Sequence, residues 1–274
     1  MGGQKIKVIL ITSNGLEHRY VTNILAQKID FEAIILDHGI KRNKLQSIKV
    51  LLSRYTTFQI AMRMLGKAIS IFNKDDLKKQ QAMVNIFTQQ LCDEFNYAGN
   101  IIEVNGINSD ESVALIKKID PDLLLIYGTG IIKNRILDLP KKLCLNMHTG
   151  ISPYYRGAGC SFWPLYDGKP EMIGATVHEC TSDVDGGIIY KIQKANLSRD
   201  DDEYCMFARA VAAGAKIYQQ VAWEFIVNGK SNGFSQDLSI GKEYKSAMKN
   251  WWHDVEVRKK VKNGLISDYV NSKI

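Results

Sequence analysis

Between Cys144 and Gly187 the chain holds an amide, two imidazoles and, in one turn near its end, two closely spaced carboxylates. Leu143 to His148 reads as a buried strand. Side chains on a strand alternate between its faces, so Cys144, Asn146 and His148 share one face, with Leu143, Leu145 and Met147 on the other. A glycine-rich loop follows from Thr149 to Gly159. Gly174, Thr176 and His178 alternate in the same manner, and Asp183-Val184-Asp185-Gly186-Gly187 forms a tight turn bearing two carboxylates.

An amide, an imidazole and a carboxylate together suit acyl transfer to an amine. That reaction passes through a tetrahedral intermediate with charge on oxygen. An Asn146 side-chain N–H can stabilise this oxygen, a role worth roughly 2.7–4 kcal/mol in comparable holes. The attacking amine sheds a proton, and His148 titrates in a range suited to taking it. Asp185 can hold the imidazole in one tautomer and favour its protonated form. Taken singly, each residue has a plainer reading. A lone histidine at a strand end is more often a hydrogen-bonded structural residue, Asp-Gly-Gly is more often only a turn, and an asparagine often just bridges backbone groups.

Together the segment resembles the formyltransferase family. That family includes the methionyl-tRNA and glycinamide ribonucleotide enzymes and the nucleotide-sugar N-formyltransferases. The resemblance rests on Asn146-Met147-His148, Ser152-Pro153-Tyr154-Tyr155-Arg156-Gly157, Gly174-Ala175-Thr176-Val177-His178 and Val184-Asp185-Gly186-Gly187, in that order and spacing. It covers about Pro121 to Lys194. It implies catalytic roles for Asn146, His148 and Asp185, with Asp183 the lesser carboxylate candidate. It implies 10-formyltetrahydrofolate as donor and no metal. The pterin is expected near Tyr127, Gly128, Thr129, Gly130 and Ile131 and near the loop carrying Asp183 and Gly186.

Departures from the best-known members narrow the expected substrate. The loop after the first strand, Thr12 to Arg19, lacks the Gly-Ser-Gly pattern of the glycinamide ribonucleotide enzymes. Its Ser13, Asn14 and Gly15 either hold a phosphate at a helix N-terminus or form a plain capped turn. The tRNA enzymes carry a substantial C-terminal RNA-binding domain, whereas about Gly229 to Ile274 remains here, so no nucleic-acid partner is expected. Gly241-Lys242-Glu243-Tyr244 and the opening Ser-Asn-Gly…His-Arg-Tyr are similar to sugar formyltransferases of bacterial polysaccharide pathways. That similarity implies a nucleotide-linked amino-deoxy sugar as acceptor, with Tyr154 and His178 near it, Arg156 either binding it or fixing its own loop, and a homodimer. Trp251 and Trp252 either stack on a base or act as hydrophobic anchors. The rival readings are a formyltetrahydrofolate hydrolase with the same residues, a formyltransferase of the methionyl-tRNA or glycinamide ribonucleotide type, and a non-catalytic binding protein that keeps the fold.

The elements that must position these groups read as an α/β, doubly wound, Rossmann-like and mostly parallel sheet. Ile6 to Thr12 is a β-branched buried strand, followed by a helix from about Glu17 to Lys28 and a strand at Glu32 to Asp37. Residues 41–98 hold no proline, and apolar residues recur at helical spacing. They read as two or three inserted helices, with Met62, Met64 and Met83 as core filler. Asn100 to Val104 is a short strand, Ser109 caps a helix to Lys118, and Leu123 to Tyr127 is a wholly apolar central strand ending in Gly128-Thr129-Gly130. Met172 to Glu179 and Gly187 to Lys194 form an antiparallel pair before a long helix, Asp201 to Asn228. Residues 1–228 are thus the expected catalytic domain and 229–274 a small C-terminal extension.

Composition sets the outer bounds. The chain has 274 residues, 45% of them hydrophobic, enough for a sizeable core. No stretch approaches the ~20 apolar residues of a membrane span, and the first residues lack signal-peptide character. The five cysteines are scattered and expected to be reduced. A cytoplasmic enzyme with no membrane partner is the expectation. The net charge of +7 is carried by short clusters, Lys41-Arg42-Asn43-Lys44 among them, which read as solvated helical faces.

Overall fold

A computed structural model describes residues 5–40 and 43–273. Lys41 and Arg42 of the first basic cluster lie outside it. The β-branched opening run forms β1 (Val8–Thr12), every residue of which is buried. Helix α1 (Leu16–Ala26) and β2 (Ala33–Asp37) complete the first strand–helix–strand unit.

The insertion holds four helices rather than two or three: α2 (Lys44–Arg54), α3 (Thr57–Phe72), α4 (Asp75–Phe87) and the single turn α5 (Gln89–Cys92). Asn43 and Thr56 close capping boxes with Gln46 and Gln59, which start α2 and α3 as separate elements. The periodicity was correct, but its outward face was misassigned. Met64 is 69% exposed and not core filler, whereas Met83 packs partly buried against the core.

The sheet resumes with β3 (Ile101–Val104), α6 (Asp110–Ile119, capped by Ser109), β4 (Leu123–Ile126), the short α7 (Asn134–Leu137) and β5 (Leu143–His148). After β6 (Tyr155–Gly157) and the turn α8 (Trp163–Tyr166) come β7 (Gly174–Glu179) and β8 (Ile189–Lys194). The seven-stranded order is β3-β2-β1-β4-β5-β7-β8. Pairing is parallel through β5, and β7 and β8 join antiparallel. Chain direction from β1 runs outward to both sides, which creates a crevice at the C-terminal ends of β1 and β4.

Helices cover both faces. α1, α4 and the long α9 (Cys205–Asn228) bury one face against residues such as Leu10, Leu125, Leu145 and Met147. α6 and α7 bury the other against Ile9, Ile11, Leu124 and Cys144. Tyr218 of α9 is wholly buried beneath the central strands. Its hydroxyl accepts from the Ile126 N–H at 2.8 Å and lies 2.9 Å from the Leu145 carbonyl.

The last residues pack back onto this body. β9 (Lys242–Tyr244) pairs in parallel with β6. α10 (Trp251–Lys262) and α11 (Leu265–Asn271) bury Val257 and Ile266 with Leu165, Ile173 and Met206. Arg258 reaches Asp75 of the insertion at 2.7 Å and Glu203 at 3.2 Å. Among the described residues no helix is long and apolar enough to cross a membrane.

Tyr218→Phe leaves a buried N–H and a buried carbonyl without their partner. Unfolding monitored by heat or denaturant is expected to show a loss of about 1–3 kcal/mol. Unchanged stability would mean these groups find another partner.

Candidate active site

The antiparallel joining of β7 to β5 creates the site. Register sets Asn146 opposite His178 and His148 opposite Thr176, so the side chains expected on one face of β5 meet those of β7 directly. Thr176 ties down the loop that leaves β5: its hydroxyl donates to the Gly150 carbonyl at 2.7 Å and accepts from the Ser152 N–H at 3.0 Å. Gly150 has no room for a side chain, since a Cβ there would lie 2.3 Å from His148 Nε2 and 2.7 Å from the Tyr155 carbonyl.

Asp185 reaches this pair from the turn after β7. One carboxylate oxygen lies 3.2 Å from His148 Nδ1 and the other 3.3 Å from His178 Nε2. The Gly157 N–H donates to the first oxygen at 2.8 Å. Asp185 takes a left-handed backbone conformation, φ 50°, which costs an ordinary residue about 1–3 kcal/mol. The turn is held from outside, because the Gln236 amide donates to the carbonyls of Asp185 and Gly187 at 2.9 and 2.6 Å. Gly187 is obligatory there: a Cβ would sit 2.1 Å from the Glu179 carbonyl.

Each imidazole spends its far nitrogen on a backbone carbonyl. His148 Nε2 lies 3.0 Å from the Tyr155 oxygen, and His178 Nδ1 lies 2.8 Å from the Glu179 oxygen. A carbonyl only accepts, so both of those nitrogens carry hydrogen. The nitrogen of His148 that gains and loses a proton is therefore Nδ1, the one facing Asp185. This corrects the expected division of labour: the Tyr155 carbonyl sets the His148 tautomer, and the carboxylate faces the titrating position. With Nδ1–H spent on Glu179, His178 Nε2 accepts from the Asn146 amide at 3.2 Å. An amide nitrogen has two hydrogens, so one remains for a ligand. His178 thus belongs to the catalytic cluster geometrically, not only to a surrounding substrate shell.

The electrostatics follow from burial and pairing. Burial pushes His148 below its ordinary value, and the Asp185 charge opposes that shift. Burial alone would raise the Asp185 carboxyl. The adjoining His148 and the Gly157 N–H oppose burial, and the carboxyl is held well below the usual carboxylate range.

The cluster forms the floor of a cavity of about 730 Å³. Tyr127, Gly128, Thr129, Gly130 and Ile131 line it, as do Asp183 and Val184, and Gly157, Ala158 and Glu243 to Ser246 form another wall. Glu17 and His18, to which no role was assigned from the sequence, also line it. His18 Nδ1 meets the Thr12 hydroxyl at 2.9 Å, and its ring lies against Tyr127. Their signal was a helix starting directly after the first strand.

Other expected ligand contacts are not at this cavity. Ser13, Asn14 and Gly15 fall outside its lining, and Asn14 accepts from Arg19 Nε at 2.8 Å instead. Arg156 is buried and turns away to donate to the Leu238 carbonyl at 3.2 Å. Tyr154 and Gly186 also lie outside the lining, the latter packed on Asp183. Trp251 packs on Gly66 of α3, as an anchor.

A carboxylate with a lowered native pKa stabilises the fold above its unfolded pKa and ceases to do so as pH falls through its native value. Asp185→Asn should therefore be less stable than the parent at neutral pH, and the gap should close in acid. Denaturant titrations at a series of pH values check this, and a pH-independent gap would contradict the paired, ionised carboxylate.

Comparison with known proteins bears on the family and the fold. The formyl transferase family model matches residues 61–222. A methionyl-tRNA formyltransferase of Sulfurihydrogenibium sp. is 28% identical over 115 residues, 42% of this chain and 37% of that protein. The match thus spans well under half the length of that curated relative. An N-formyltransferase from Helicobacter canadensis, solved with folinic acid and dTDP-3-aminofucose, superposes with a TM-score of 0.55 at 14% identity, covering 93% of this chain and 81% of its own. The phosphoribosylglycinamide formyltransferase of Anaplasma phagocytophilum gives 0.54 at 13% identity, with 89% and 100% covered. At such identities these structures share the fold. With more than half of its residues inside the family model and the amide–imidazole–carboxylate cluster at the crevice of that fold, the chain belongs to the formyl transferase family.

Proposed function

We propose that this chain transfers a formyl group from 10-formyltetrahydrofolate to the amine of a nucleotide-linked amino-deoxy sugar. The observation that carries the chemistry is the convergence of Asn146, His148 and Asp185 on the floor of one cavity. The cavity also suits a folate. Ile126, Ile131, Ile132, Leu137 and Val184 supply apolar walls for a flat ring, the Asp183 carboxylate faces the same space, and the loop at Gly130 is open, with no atom within 4 Å of a side chain there. When bound, the folate supplies the formyl group.

The chain's own residues then divide the work. The free N–H of Asn146 donates to the oxygen on which charge develops. His148 Nδ1 takes the proton that the amine loses on attack, the resulting imidazolium faces the Asp185 carboxylate, and the proton is then given up to the nitrogen that departs as the donor's carbon–nitrogen bond breaks. Asp185 stays ionised and stabilises that cation. His178 holds the Asn146 amide in orientation through its Nε2.

The acceptor reading is supported by the C-terminal segment. Gly241 to Tyr244 carries the similarity to the sugar enzymes, and Glu243, Tyr244, Lys245 and Ser246 form a wall of the cavity. Lys245 brings an exposed cation to that wall, where it would meet a diphosphate.

The test offers purified protein and formyltetrahydrofolate a panel of TDP-, UDP- and GDP-linked amino sugars, with glycinamide ribonucleotide and methionyl-tRNA alongside, and reads products by mass spectrometry. A gain of one formyl group on a sugar nucleotide is expected. Asn146→Ala should lower kcat by about 10²–10³-fold. Formylation of methionyl-tRNA or glycinamide ribonucleotide alone would overturn the acceptor, and release of free formate without any acceptor would overturn transfer itself.

A further inference from the structure

The outward side of α3 is apolar along its length. Phe58, Leu65 and Phe72 recur at seven-residue intervals, with Ala61 and Ala68 between them, and all are exposed. Met64 and Ile71 widen the stripe. Phe58 is 71% exposed, Ile71 67% and Phe72 86%. The helix's 16 residues give this face a length of about 24 Å. The opposite side is the one that packs, with Gly66 against Trp251 and Arg63 over Tyr55 at 4.5 Å. α2 repeats the pattern, leaving Leu45, Ile48, Leu51 and Leu52 exposed. An exposed apolar helix face of this length marks an interaction site.

Charge identifies the occupant. From Asn43 to Lys74 the sequence holds six basic residues, Lys44, Lys49, Arg54, Arg63, Lys67 and Lys74, and no Asp or Glu. Lys49 lies four residues after Leu45 and three before Leu52. Lys67 lies three after Met64 and four before Ile71. Each exposed lysine therefore sits at the edge of an apolar face. A second copy meeting this surface across a two-fold axis would oppose its cations with their own kind. A nucleic acid would satisfy the cations but leave the phenylalanines in water. A bilayer with anionic headgroups satisfies both: acyl chains receive the apolar face and lipid phosphates pair with the lysines at its edge.

We propose that α2 and α3 form a membrane-surface element that lies in the headgroup layer of an anionic bilayer, with Phe58, Leu65 and Phe72 inserted. This replaces the sequence-based expectation of solvated helices and no membrane partner. It is independent of the acceptor assigned to the cavity. Nothing here spans the bilayer; a basic amphipathic pair binds in the interface plane, peripherally and reversibly.

Vesicle flotation of the full chain tests this. Vesicles of phosphatidylglycerol and phosphatidylcholine in equal parts should carry the protein, and vesicles of phosphatidylcholine alone should not. Raised salt should weaken binding. The double variant Phe58→Glu, Phe72→Glu should bind at least about tenfold more weakly, with its melting temperature unchanged, and Lys49→Glu should weaken binding without touching the apolar face. Equal binding to neutral vesicles, no binding to either, or binding that survives the double variant would overturn the proposal. So would a concentration-dependent dimer in sedimentation that the double variant dissociates, which would assign the face to a second copy.

Discussion

Asp185 carries a carboxylate that is held ionised although its side chain is only 11% exposed. Water no longer solvates it, and burial by itself would protonate it. The Asp185 carboxylate is kept charged by His148, which faces one of its oxygens, and by the Gly157 N–H, which donates to the same oxygen. Much of the surrounding architecture can be traced to this requirement. Two imidazoles reach one carboxylate because β7 runs antiparallel to β5 in a register that sets Asn146 opposite His178. The rings are aimed by carbonyls behind them, at Tyr155 and Glu179. Gly150 leaves space for one of those bonds, and Gly187 lets the turn close against β7.

The C-terminal residues serve the same end. β9 pairs with β6 and supports Gly157, whose φ of 87° and close approach to the Tyr244 carbonyl exclude any side chain. Gln236 holds the Asp185 turn from outside, and Glu243 to Ser246 wall the cavity. A segment that reads as a polar appendage is therefore part of what positions the Asp185 carboxylate. The remainder, α10 and α11, is fastened to the body by buried apolar contacts and by Arg258 against Asp75 and Glu203.

The doubly wound sheet was legible because buried parallel strands are apolar runs, and β1 and β4 are such runs. Asn146 and His148 were legible as neighbours because strand alternation is a local rule. The meeting of His178 with Asn146 and Asp185 was not, since it depends on β5–β7 register, which no local pattern in either strand encodes. Nor was the Tyr155 carbonyl behind His148, because backbone acceptors carry no signature in side-chain identity. Arg156 shows another limit: its type and place in the loop left a ligand contact and a loop-fixing role equally open, and the buried guanidinium donates to the Leu238 carbonyl. In the insertion the helical period was correct, but periodicity does not say whether an apolar stripe faces inward. For α3 it faces out.

The central claim is that Asp185 is a permanently ionised partner for a proton that comes and goes at His148 Nδ1. Nuclear magnetic resonance with carbon-labelled aspartate and nitrogen-labelled histidine measures both groups in one titration. The account predicts an Asp185 carboxyl that remains ionised through the ordinary carboxylate range. It predicts that His148 Nε2 holds its hydrogen throughout, while Nδ1 titrates below the usual histidine value. An Asp185 that protonates in the ordinary range, or a neutral His148 whose hydrogen resides on Nδ1, would contradict it.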